Sequence, residues 1–422
     1  MRWAYAAGVH AYRAVTRLAG LGLAKARARS EGAARALDGL APTPPGQDCY
    51  WMHCASVGEF EQGRPVWDAI RAARPGARFV VSFFSPSGYE HFAHGPDVGE
   101  VAYLPWDTGD AARRWVARLS PKLAVFVKYE YWYGYFAALR GADVPTVMIS
   151  AVLRPDQYFF RGGRDGALAI WREAVQGLDR VFAQDEQTAD LLRERGGVTR
   201  VHVTGDTRLD RALALRGQAL EAPALVAWAK EQEQILVAGS TWPAGEELLA
   251  YALAQRPNLG VIVAPHLVGE ADVKACLRRF EPYAPLRLSR LRDPGAGERL
   301  RYRPRVVVVD GIGLLSRLYR LGDMAYVGGG FGAGIHNTVE PAVYGLPVAF
   351  GPRHERFVEA RQLLDAGIAS AVSDRADVLA FVDRYSEPAV RAEVLAEAEA
   401  YFARHAGATD EIVAYLRERD LI

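Results

Sequence analysis

A chain of 422 residues, 50% of them hydrophobic and 24% charged, is long enough for two or three domains, each with its own core. The 51 Lys and Arg residues are balanced by 50 Asp and Glu residues. The resulting net charge of +1 provides no overall basic field, which argues against a nucleic-acid partner. Three cysteines without a C-x-x-C pair argue against a disulfide framework and favour a reducing cytoplasm.

Positive charge is concentrated at the N-terminus, where the first thirty residues contain no acid. The cations there are Arg2, Arg13, Arg17, Lys25, Arg27 and Arg29. Apolar residues from Trp3 to Leu23 recur between them at spacings of three and four, which predicts a basic amphipathic helix. Residues 1–30 would lie on a membrane surface or, equally well on this pattern, cover the protein core. Arg13 and Arg17 interrupt the apolar run that a secretory signal needs, and no segment resembles a transmembrane helix.

After a Pro-rich linker at residues 41–46, short β-branched and aromatic runs alternate with helical patterns, which predicts parallel sheets covered by helices on both faces. The runs before residue 205 are Tyr50 to Cys54, Arg78 to Phe84, Val101 to Pro105, Leu123 to Lys128, Thr146 to Val152, Val181 to Gln184 and Val201 to Thr204. A long helical stretch from Leu209 to about Glu233 follows them. The later runs are Ile235 to Gly239, Leu259 to Ala264, Val306 to Asp310, Ala325 to Gly328 and Pro347 to Phe350.

This alternation predicts an α/β protein with two Rossmann-like, doubly wound domains that face a cleft. We place the first domain at residues 47–215 and the second at residues 216–388. Residues 1–46 would form the amphipathic helix and linker, and residues 389–422 would form C-terminal helices that pack back towards the first domain.

A glycine-rich turn follows the predicted strand near Met324 and runs from Gly328 to the helix that contains Glu340. Glycines let backbone N–H groups approach a phosphate closely, and a helix N-terminus favours negative charge. Glu340 could accept hydrogen bonds from ribose hydroxyls, whereas the glycine spacing does not fit a nicotinamide-dinucleotide site. The alternative is a tight turn capped by Asn337. The glycines together with the His-Asn pair exceed what a turn requires and favour nucleotide binding.

In the first domain, the strand that ends at Cys54 runs into Ala55-Ser-Val-Gly-Glu-Phe60. Glu59 would begin a helix at the carboxyl edge of the sheet, where it would face the cleft and take a proton from an acceptor hydroxyl. The alternative is a first-turn acid that only complements the helix dipole.

Other strand ends of the first domain also carry charged residues. Lys128 and Glu130 lie in an aromatic run and could contact a substrate, although aromatic clusters usually belong to a core. Arg208 would form either an interdomain salt bridge or an anion-stabilising contact. The sequence contains no metal-ligand cluster, P-loop or serine-hydrolase elbow, which favours nucleotide-linked group transfer without a metal.

Taken in order, these motifs resemble those of the 3-deoxy-D-manno-octulosonic acid (Kdo) transferases of lipopolysaccharide synthesis, which have the GT-B fold. The resemblance covers nearly the whole chain. Ser56-Val-Gly-Glu59 resembles the S-x-G-E motif, whose glutamate is the general base, and Val203-Thr-Gly-Asp-Thr-Arg208 resembles V-T-G-x-x-K, whose lysine stabilises developing charge. Phe84-Ser-Pro-Ser-Gly88 resembles T-x-T-G, and Tyr103-Leu-Pro-Trp-Asp107 resembles Y-L-P-x-D.

The second half of the chain resembles the donor-binding half of that family. Gly239-Ser-Thr-Trp-Pro-Ala-Gly-Glu-Glu247 is similar to S-T-x-x-G-E-E, and His336-Asn-Thr-Val-Glu-Pro341 is similar to H-N-x-x-E-P, which binds cytidine monophosphate (CMP). The departures are Ala264-Pro-His-Leu267 in place of P-R-H, Asp310-Gly-Ile-Gly-Leu314 in place of D-x-M-G-E, and Lys128-Tyr-Glu-Tyr-Trp132 in place of E-T-E-L-W.

The resemblance implies inverting transfer of Kdo from CMP-Kdo to a lipid A precursor by a protein without metal or cofactor. It places the protein on the cytoplasmic face of the bacterial inner membrane, as a peripheral or monotopic protein. The expected catalytic residues are Glu59, Arg208 and Lys128. The expected acceptor contacts are Ser56, Gly58, Ser85, Ser87 and Glu130. The expected donor contacts are Ser240, Pro265, His266, Gly313, Gly329, Gly330, His336, Asn337 and Glu340.

Two alternatives to this function remain. One is a different GT-B enzyme, such as a UDP-sugar transferase or a UDP-sugar epimerase. The other is a non-catalytic, membrane-associated scaffold that binds a sugar or a lipid, because a fold by itself does not establish activity.

Overall fold

The computed structural model describes residues 2–93, 95, 97–157, 160, 167–291, 304–332 and 334–422. The chain divides into two compact units. The first comprises Met1–Arg211 together with Ala406–Ile422, and the second comprises Ala212–His405.

The first unit is built on a parallel sheet of seven strands. Its strands are β1 (Cys49–Cys54), β2 (Arg78–Phe83), β3 (Glu100–Tyr103), β4 (Leu123–Val127), β5 (Thr146–Ala151), β6 (Arg180–Ala183) and β7 (Val201–Val203). The spatial order is β3-β2-β1-β4-β5-β6-β7. Every strand predicted for this half of the sequence is confirmed, because uninterrupted apolar runs are typical of strands buried on both faces.

Alternate residues of the central strand β1 face opposite sides of the sheet. Cys49 and Trp51 pack in one apolar cluster, whereas Tyr50, Met52 and Cys54 pack in another. Both faces of the sheet are therefore covered, as a doubly wound fold requires.

Helices precede, connect and follow these strands. They are α1 (Arg2–Ala19), α2 (Ala24–Gly39), α3 (Val57–Ala73), α4 (Pro86–Phe92), α5 (Gly109–Leu119), α6 (Tyr133–Gly141), α7 (Ala167–Val175), α8 (Glu186–Leu191) and α9 (Thr207–Arg216). The single helix expected over the first thirty residues is wrong, because the chain breaks between α1 and α2 at the sequence Gly-Leu-Gly-Leu. Two glycines in four residues destabilise a continuous helix.

The N-terminal helices are fixed to the first unit by polar contacts. The Tyr5 hydroxyl of α1 donates to the Asp107 carboxylate, which also accepts the backbone N–H groups of Gly134 and Tyr135 at 3.0 Å each. Asp107 thus caps α6 and holds α1 at the same time. Burial raises the pKa of this carboxyl to about 6, against the lowering effect of its hydrogen bonds.

The expectation that all six N-terminal cations lie on the protein surface is wrong for Arg29. Its side chain is only 4% exposed, and it donates from Nη1 to the Leu104 carbonyl oxygen at 2.8 Å. The guanidinium carbon lies 4.3 Å from the Phe84 ring centroid and 4.5 Å from that of Trp106. Arg29 therefore joins α2 to the protein body through cation–π contacts.

The second unit contains another parallel sheet of seven strands. Its strands are β8 (Gln234–Thr241), β9 (Leu259–Pro265), β10 (Leu286–Arg287), β11 (Val306–Val308), β12 (Met324–Val327), β13 (Val348–Phe350) and β14 (Ala369–Ala371). The spatial order is β10-β11-β9-β8-β12-β13-β14. The five strands predicted here are present, whereas β10 and β14 went unpredicted because edge strands of two or three residues carry no periodic pattern.

Helices also surround the second sheet. They are α10 (Pro223–Lys230), α11 (Pro243–Gln255), α12 (Glu270–Arg279), α13 (Leu315–Leu318), α14 (Val339–Ala342), α15 (Val358–Asp365), α16 (Arg375–Arg384) and α17 (Pro388–His405). The continuous helix expected from Leu209 to about Glu233 is wrong, because α9 ends at Arg216 and α10 begins at Pro223. Proline fits the first turn of a helix but not its interior.

The last helix, α18 (Ala408–Glu418), belongs to the first unit. Ile412 and Leu416 pack in the same apolar cluster as Tyr50, whose hydroxyl donates to the Leu421 carbonyl oxygen at 2.9 Å. Among the described residues, no helix combines the length and apolar character that crossing a membrane requires.

Candidate active site

The spatial order of the first sheet reverses at β1 and β4, which lie side by side although two other strands separate them in sequence. Ligands of open α/β sheets commonly bind beyond the carboxyl ends of strands at such a switch point. Glu59 follows β1, and Lys128 and Glu130 follow β4. The topology therefore brings the predicted acid and charge pair to the same edge of one sheet.

Glu59 is buried in the first turn of α3, with 6% of its surface exposed. Its carboxylate accepts the Ala55 backbone N–H, so the chain folds back on itself at the strand-to-helix turn. Burial, followed by the negative charge of Glu130, raises the pKa of Glu59 to about 8, although the hydrogen bonds from Ala55 and Ser56 and the charge of Lys128 act against this. A carboxyl with this pKa can be both protonated and ionised near neutral pH.

Glu130 is also buried, with 8% of its surface exposed. Its Oε2 accepts the Trp132 indole N–H at 2.8 Å and lies 3.2 Å from His53 Nε2. His53 on β1 is fully buried, and its Nδ1 lies 3.0 Å from the carbonyl oxygen and 2.9 Å from the hydroxyl of Ser82. Sequence reasoning missed His53 and Ser82, because each is a single polar residue within a strand and carries no motif.

Lys128 lies directly after β4 with a φ of +70°, a conformation that residues other than glycine and asparagine rarely adopt. Its backbone N–H donates to the Ile149 carbonyl oxygen at 2.9 Å. Its ammonium nitrogen lies 5.2 Å from the Tyr129 ring centroid. The positive charge of Lys128 acts on two carboxyls. It opposes the rise in the pKa of Glu59, and it contributes to the lowered pKa of Asp206.

Arg208 lies in the first turn of α9, which follows β7, and is held by Asp206. Its Nε donates to Asp206 Oδ2 at 2.8 Å, and its backbone N–H donates to Oδ1 at 2.9 Å. The Gln62 amide donates to the same Oδ1 at 2.8 Å, which links this turn to α3. Burial favours protonated Asp206, but the charge and hydrogen bonds of Arg208 outweigh it, and the pKa of Asp206 is below its ordinary value.

The other predicted acceptor residues lie at strand-to-helix turns of the first unit. Ser56 is the extended residue before α3, and Gly58 is exposed in the first turn of this helix. Ser85 precedes α4, where its hydroxyl accepts the Ser87 backbone N–H at 3.3 Å and lies 2.8 Å from the Ser87 hydroxyl. The Ser85 side chain caps α4, and the contact of all four residues with an acceptor stays a prediction.

The second sheet has its own switch point at the neighbouring strands β8 and β12. Ser240 lies near the end of β8, and the glycine-rich segment follows β12. A Cβ on Gly328 would overlap the Ser240 backbone, and a Cβ on Gly330 would lie 2.6 Å from the Gly351 Cα. Gly329 has a φ of +96°. Close backbone packing therefore accounts for these glycines.

Asn337 and Glu340 stand together at the short helix α14. The side-chain oxygen Oδ1 of Asn337 accepts the Val339 backbone N–H at 3.0 Å, and the side-chain Nδ2 of Asn337 donates to Glu340 Oε1 at 3.0 Å. Asn337 therefore binds the first backbone N–H of the helix and also orients the carboxylate expected to bind ribose.

A stack of three rings lies at the same edge of the second sheet. His266, which follows Pro265 at the end of β9, has its ring centroid 4.8 Å from that of Trp242 and 4.4 Å from that of His336. Burial, followed by the charge of His266, lowers the pKa of His336 to about 4, and burial also lowers that of His266. The Trp242 indole N–H donates to His336 Nε2 at 3.3 Å, as a neutral imidazole allows.

Sequence reasoning missed Trp242, although its position between Thr241 and Pro243 placed it within a recognised motif. The structure brings His266 and His336 together but does not bring Gly313 into this stack. Gly313 lies beyond β11 with a φ of +85°, and its carbonyl oxygen accepts from Arg317 at 3.3 Å. Within the described ranges, no three or more His, Cys, Asp or Glu side chains form a group suited to a metal ion.

Solved structures with the same architecture include proteins that hold a bound sugar nucleotide. A UDP-GlcNAc 2-epimerase from Neisseria meningitidis, solved with UDP-GlcNAc bound, is 13% identical with a TM-score of 0.61, covering 88% of this chain and 100% of its own. The Anabaena protein HepE in complex with UDP-glucose is 14% identical with a TM-score of 0.54, covering 88% and 99%. The two doubly wound units thus define the GT-B class, which confirms the predicted fold class.

Sequence comparison narrows this class. The family model described as 3-deoxy-D-manno-octulosonic-acid transferase matches residues 25–211. The 3-deoxy-D-manno-octulosonic acid transferase of Bordetella pertussis is 30% identical over 381 residues, covering 85% of this chain and 84% of its own. The enzyme of the same name from Haemophilus influenzae is 26% identical over 353 residues, covering 81% and 79%. The chain belongs to the 3-deoxy-D-manno-octulosonic acid transferase family, and it is a glycosyltransferase.

Proposed function

We propose that this protein transfers Kdo from CMP-Kdo to a lipid A precursor in lipopolysaccharide synthesis, with inversion at the anomeric carbon. The observation that carries the proposal is Glu59, a buried carboxyl with a pKa of about 8 at the switch point of the first sheet. Family membership supports the sugar that is transferred.

In this reaction Glu59 accepts the proton of the acceptor hydroxyl as the hydroxyl oxygen bonds to the anomeric carbon of Kdo. The bond between that carbon and the phosphate oxygen of CMP breaks, and the leaving CMP takes the electron pair. A base with a pKa near the working pH combines a useful ionised fraction with a strong affinity for the proton. The raised pKa of Glu59 therefore suits this role better than that of an ordinary surface glutamate would.

Lys128 and Arg208 supply positive charge to the same edge of the first sheet. We assign to both the stabilisation of negative charge that develops during transfer. Asp206 fixes the Arg208 guanidinium through its hydrogen bonds and offsets part of its charge. Arg208 thus acts in a preset geometry, as electrostatic catalysis requires. Ser56, Gly58, Ser85, Ser87 and Glu130 would contact the acceptor.

The donor would bind at the carboxyl edge of the second sheet. Glu340, oriented by Asn337, would accept hydrogen bonds from the ribose hydroxyls of CMP. Backbone N–H groups near Gly329 and Gly330 would approach its phosphate, because these two residues carry no side chain of their own. Further donor contacts would come from Ser240, Pro265, His266, Gly313 and His336. No metal or cofactor enters this scheme.

The acceptor is a lipid, and α1 offers a surface suited to a membrane. Its exposed apolar residues include Trp3, at 78% exposure, and Leu18, at 67%. Arg13 and Arg17 are exposed on the same helix. An apolar face beside exposed cations is typical of helices that lie in an anionic bilayer surface. We therefore propose peripheral or monotopic attachment to the cytoplasmic face of the inner membrane through residues 1–30.

Two measurements test this function. Mass spectrometry of a lipid A precursor incubated with CMP-Kdo should show the addition of Kdo only in the presence of the protein. Calorimetry should show tighter binding of CMP than of UMP or UDP. Tighter binding of UDP than of CMP would instead indicate a UDP-sugar enzyme with the same fold. Donor binding without transfer would favour a non-catalytic scaffold.

A further inference from the structure

Arg353 is held against the glycine-rich segment of the second unit. It follows β13, which pairs in parallel with β12, so its segment leaves the sheet beside the glycines that follow β12. The backbone N–H of Arg353 donates to the Gly330 carbonyl oxygen at 2.9 Å. Its side-chain Nη1 donates to the Gly332 carbonyl oxygen at 2.8 Å. These two hydrogen bonds fix both the backbone and the guanidinium group of Arg353 on this segment.

The guanidinium group of Arg353 has no acidic partner. Among the described residues, no carboxylate forms an ion pair with it, and its side chain is exposed. Other arginines of the second unit are paired, namely Arg256 with Asp383, Arg279 with Glu246 and Arg287 with Glu270. A guanidinium carries several N–H donors, and the Gly332 carbonyl takes only one of them. The other donors of Arg353 can therefore bind an anion.

The glycine-rich segment has unused donors of its own. Within the described part of the chain, the backbone N–H groups of Gly329, Gly330 and Phe331 donate to no protein acceptor. Both glycines are buried, and buried backbone N–H groups normally have a hydrogen-bond partner. Successive unpaired N–H groups form concavities that bind anions. The segment that holds Arg353 thus lacks an acceptor, which an anionic ligand would supply.

The ligand expected at this edge carries such groups. CMP-Kdo has a phosphate and, because Kdo is a sugar acid, a carboxylate, and both are ionised at neutral pH. The rings of His266 and His336 at this edge are neutral there, because burial lowers the pKa of each. Glu340 adds a carboxylate. Arg353 supplies a permanent positive charge that can offset these anionic groups.

We propose that Arg353 binds an anionic group of the sugar nucleotide, together with backbone N–H groups of the glycine-rich segment. This group is the phosphate or the sugar carboxylate, because both present a pair of anionic oxygens that fits a guanidinium fork. The Gly332 carbonyl holds the guanidinium before the ligand arrives, which reduces the side-chain entropy lost on binding. The inference rests on the proposed function for the identity of the ligand.

The test uses the full-length protein and the variant Arg353→Gln. Calorimetry measures the affinities for cytidine and CMP, and transfer kinetics give the KM for CMP-Kdo. If Arg353 binds the phosphate, CMP affinity should fall by roughly 10- to 100-fold while cytidine affinity stays within about twofold of wild type. If it binds the sugar carboxylate, the affinities for CMP and cytidine should stay, and the KM for CMP-Kdo should rise by a similar factor.

The matched control is Arg356→Gln, which removes an exposed arginine three residues further along the same segment. All three quantities should stay within about twofold of wild type in this variant, because no hydrogen bond among the described residues holds the Arg356 side chain to the glycines.

Three results would overturn the proposal. The first is wild-type CMP affinity together with a wild-type KM in Arg353→Gln. The second is an equal loss in Arg353→Gln and Arg356→Gln, which would show that only the overall charge matters. The third is an equal loss of affinity for cytidine and CMP in Arg353→Gln, which would show that Arg353 only maintains the shape of the segment.

Failure of this inference differs from failure of the proposed function. If the wild-type protein adds Kdo to the precursor and Arg353→Gln behaves as wild type, only the role of Arg353 falls. If the wild-type protein transfers no Kdo and binds UDP more tightly than CMP, the proposed function falls. The same variants are then compared with uridine and UDP, and a loss for UDP alone in Arg353→Gln would still support the anion site.

Discussion

The carboxyl edges of the two sheets share a topology but differ in chemistry. At the switch point of the first sheet, buried ionisable side chains stand close together, and Glu59 has a pKa raised to about 8. At the switch point of the second sheet, glycine backbone packs tightly, and the rings of Trp242, His266 and His336 stack. The pKa of His336 is lowered to about 4. The first edge has a carboxyl that can exchange a proton near neutral pH, whereas the second has neutral rings, backbone groups and the carboxylate of Glu340. In the proposed function, the same architecture serves two tasks, proton transfer in the first unit and nucleotide binding in the second.

We expect the largest effect from removing the proposed base, which should abolish proton transfer and leave nucleotide binding intact. Glu59→Gln should lower the transfer rate by roughly 10²- to 10⁴-fold, the usual contribution of a general base. CMP affinity by calorimetry and the circular dichroism spectrum should not change, because the amide is nearly isosteric and lies in the other unit. A rate within about threefold of wild type would mean that the first edge does not supply the base.

A second prediction concerns the exposed cations of α1. Replacing Arg13 and Arg17 by Gln should weaken binding to anionic vesicles by about 30-fold, at about 1 kcal/mol for each charge. Cosedimentation at low and high salt measures this, and the difference between variant and wild type should shrink at high salt.

The matched control for the α1 variant replaces Arg417 and Arg419, two exposed cations of the first unit outside α1. Equal losses in both double variants would show that overall charge, and not α1, governs attachment. Transfer to a detergent-dispersed acceptor should be unaffected in both, because neither pair touches the Glu59 region.

The second edge is tested by removing its carboxylate. Glu340→Ala should weaken CMP binding by roughly 1 to 3 kcal/mol, the usual cost of leaving a buried hydrogen-bonding group without its partner. Calorimetry measures this, with Glu397→Ala on the exposed surface of α17 as the control. Unchanged CMP affinity in Glu340→Ala would show that Glu340 does not contact the ribose.

The smallest expected effect concerns stability. Because the folded protein holds a proton on Glu59 that the unfolded chain releases above its ordinary pKa, stability from this group falls as pH rises from about 4.5 to about 8. Glu59→Gln removes this loss. Its melting temperature should exceed that of wild type by a few degrees at pH 9 and by less at pH 5. An equal difference at both pH values would contradict the raised pKa.

Sequence patterns predicted the sheets well because long apolar runs mark strands that are buried on both faces. They failed at the N-terminus, where the breaks at Gly20 and Gly22 do not interrupt the amphipathic period. They also counted Arg29 as a surface cation, although Phe84 and Trp106 enclose it. Those contacts join residues far apart in sequence, so no local pattern reveals them.

For the candidate site, motifs predicted where Glu59, Glu130 and Glu340 lie, because each follows a strand or begins a helix. They did not predict the partners that set the chemistry. His53 and Ser82 are isolated polar residues on different strands, and only strand pairing places them side by side. The stack of Trp242, His266 and His336 arises in the same way, from three separate strand ends.

The most direct test of the central claim is the pH dependence of single-turnover transfer at saturating CMP-Kdo and acceptor. We expect the wild-type rate to rise with pH and to level off above about pH 8, because ionised Glu59 accepts the proton. CMP affinity should stay constant above about pH 7, because the CMP phosphate, with a second pKa of about 6, is ionised there and the pKa of His336 lies near 4. A transfer rate that does not change between pH 6 and pH 9, or one that rises identically in Glu59→Gln, would contradict the assignment of Glu59 as the base.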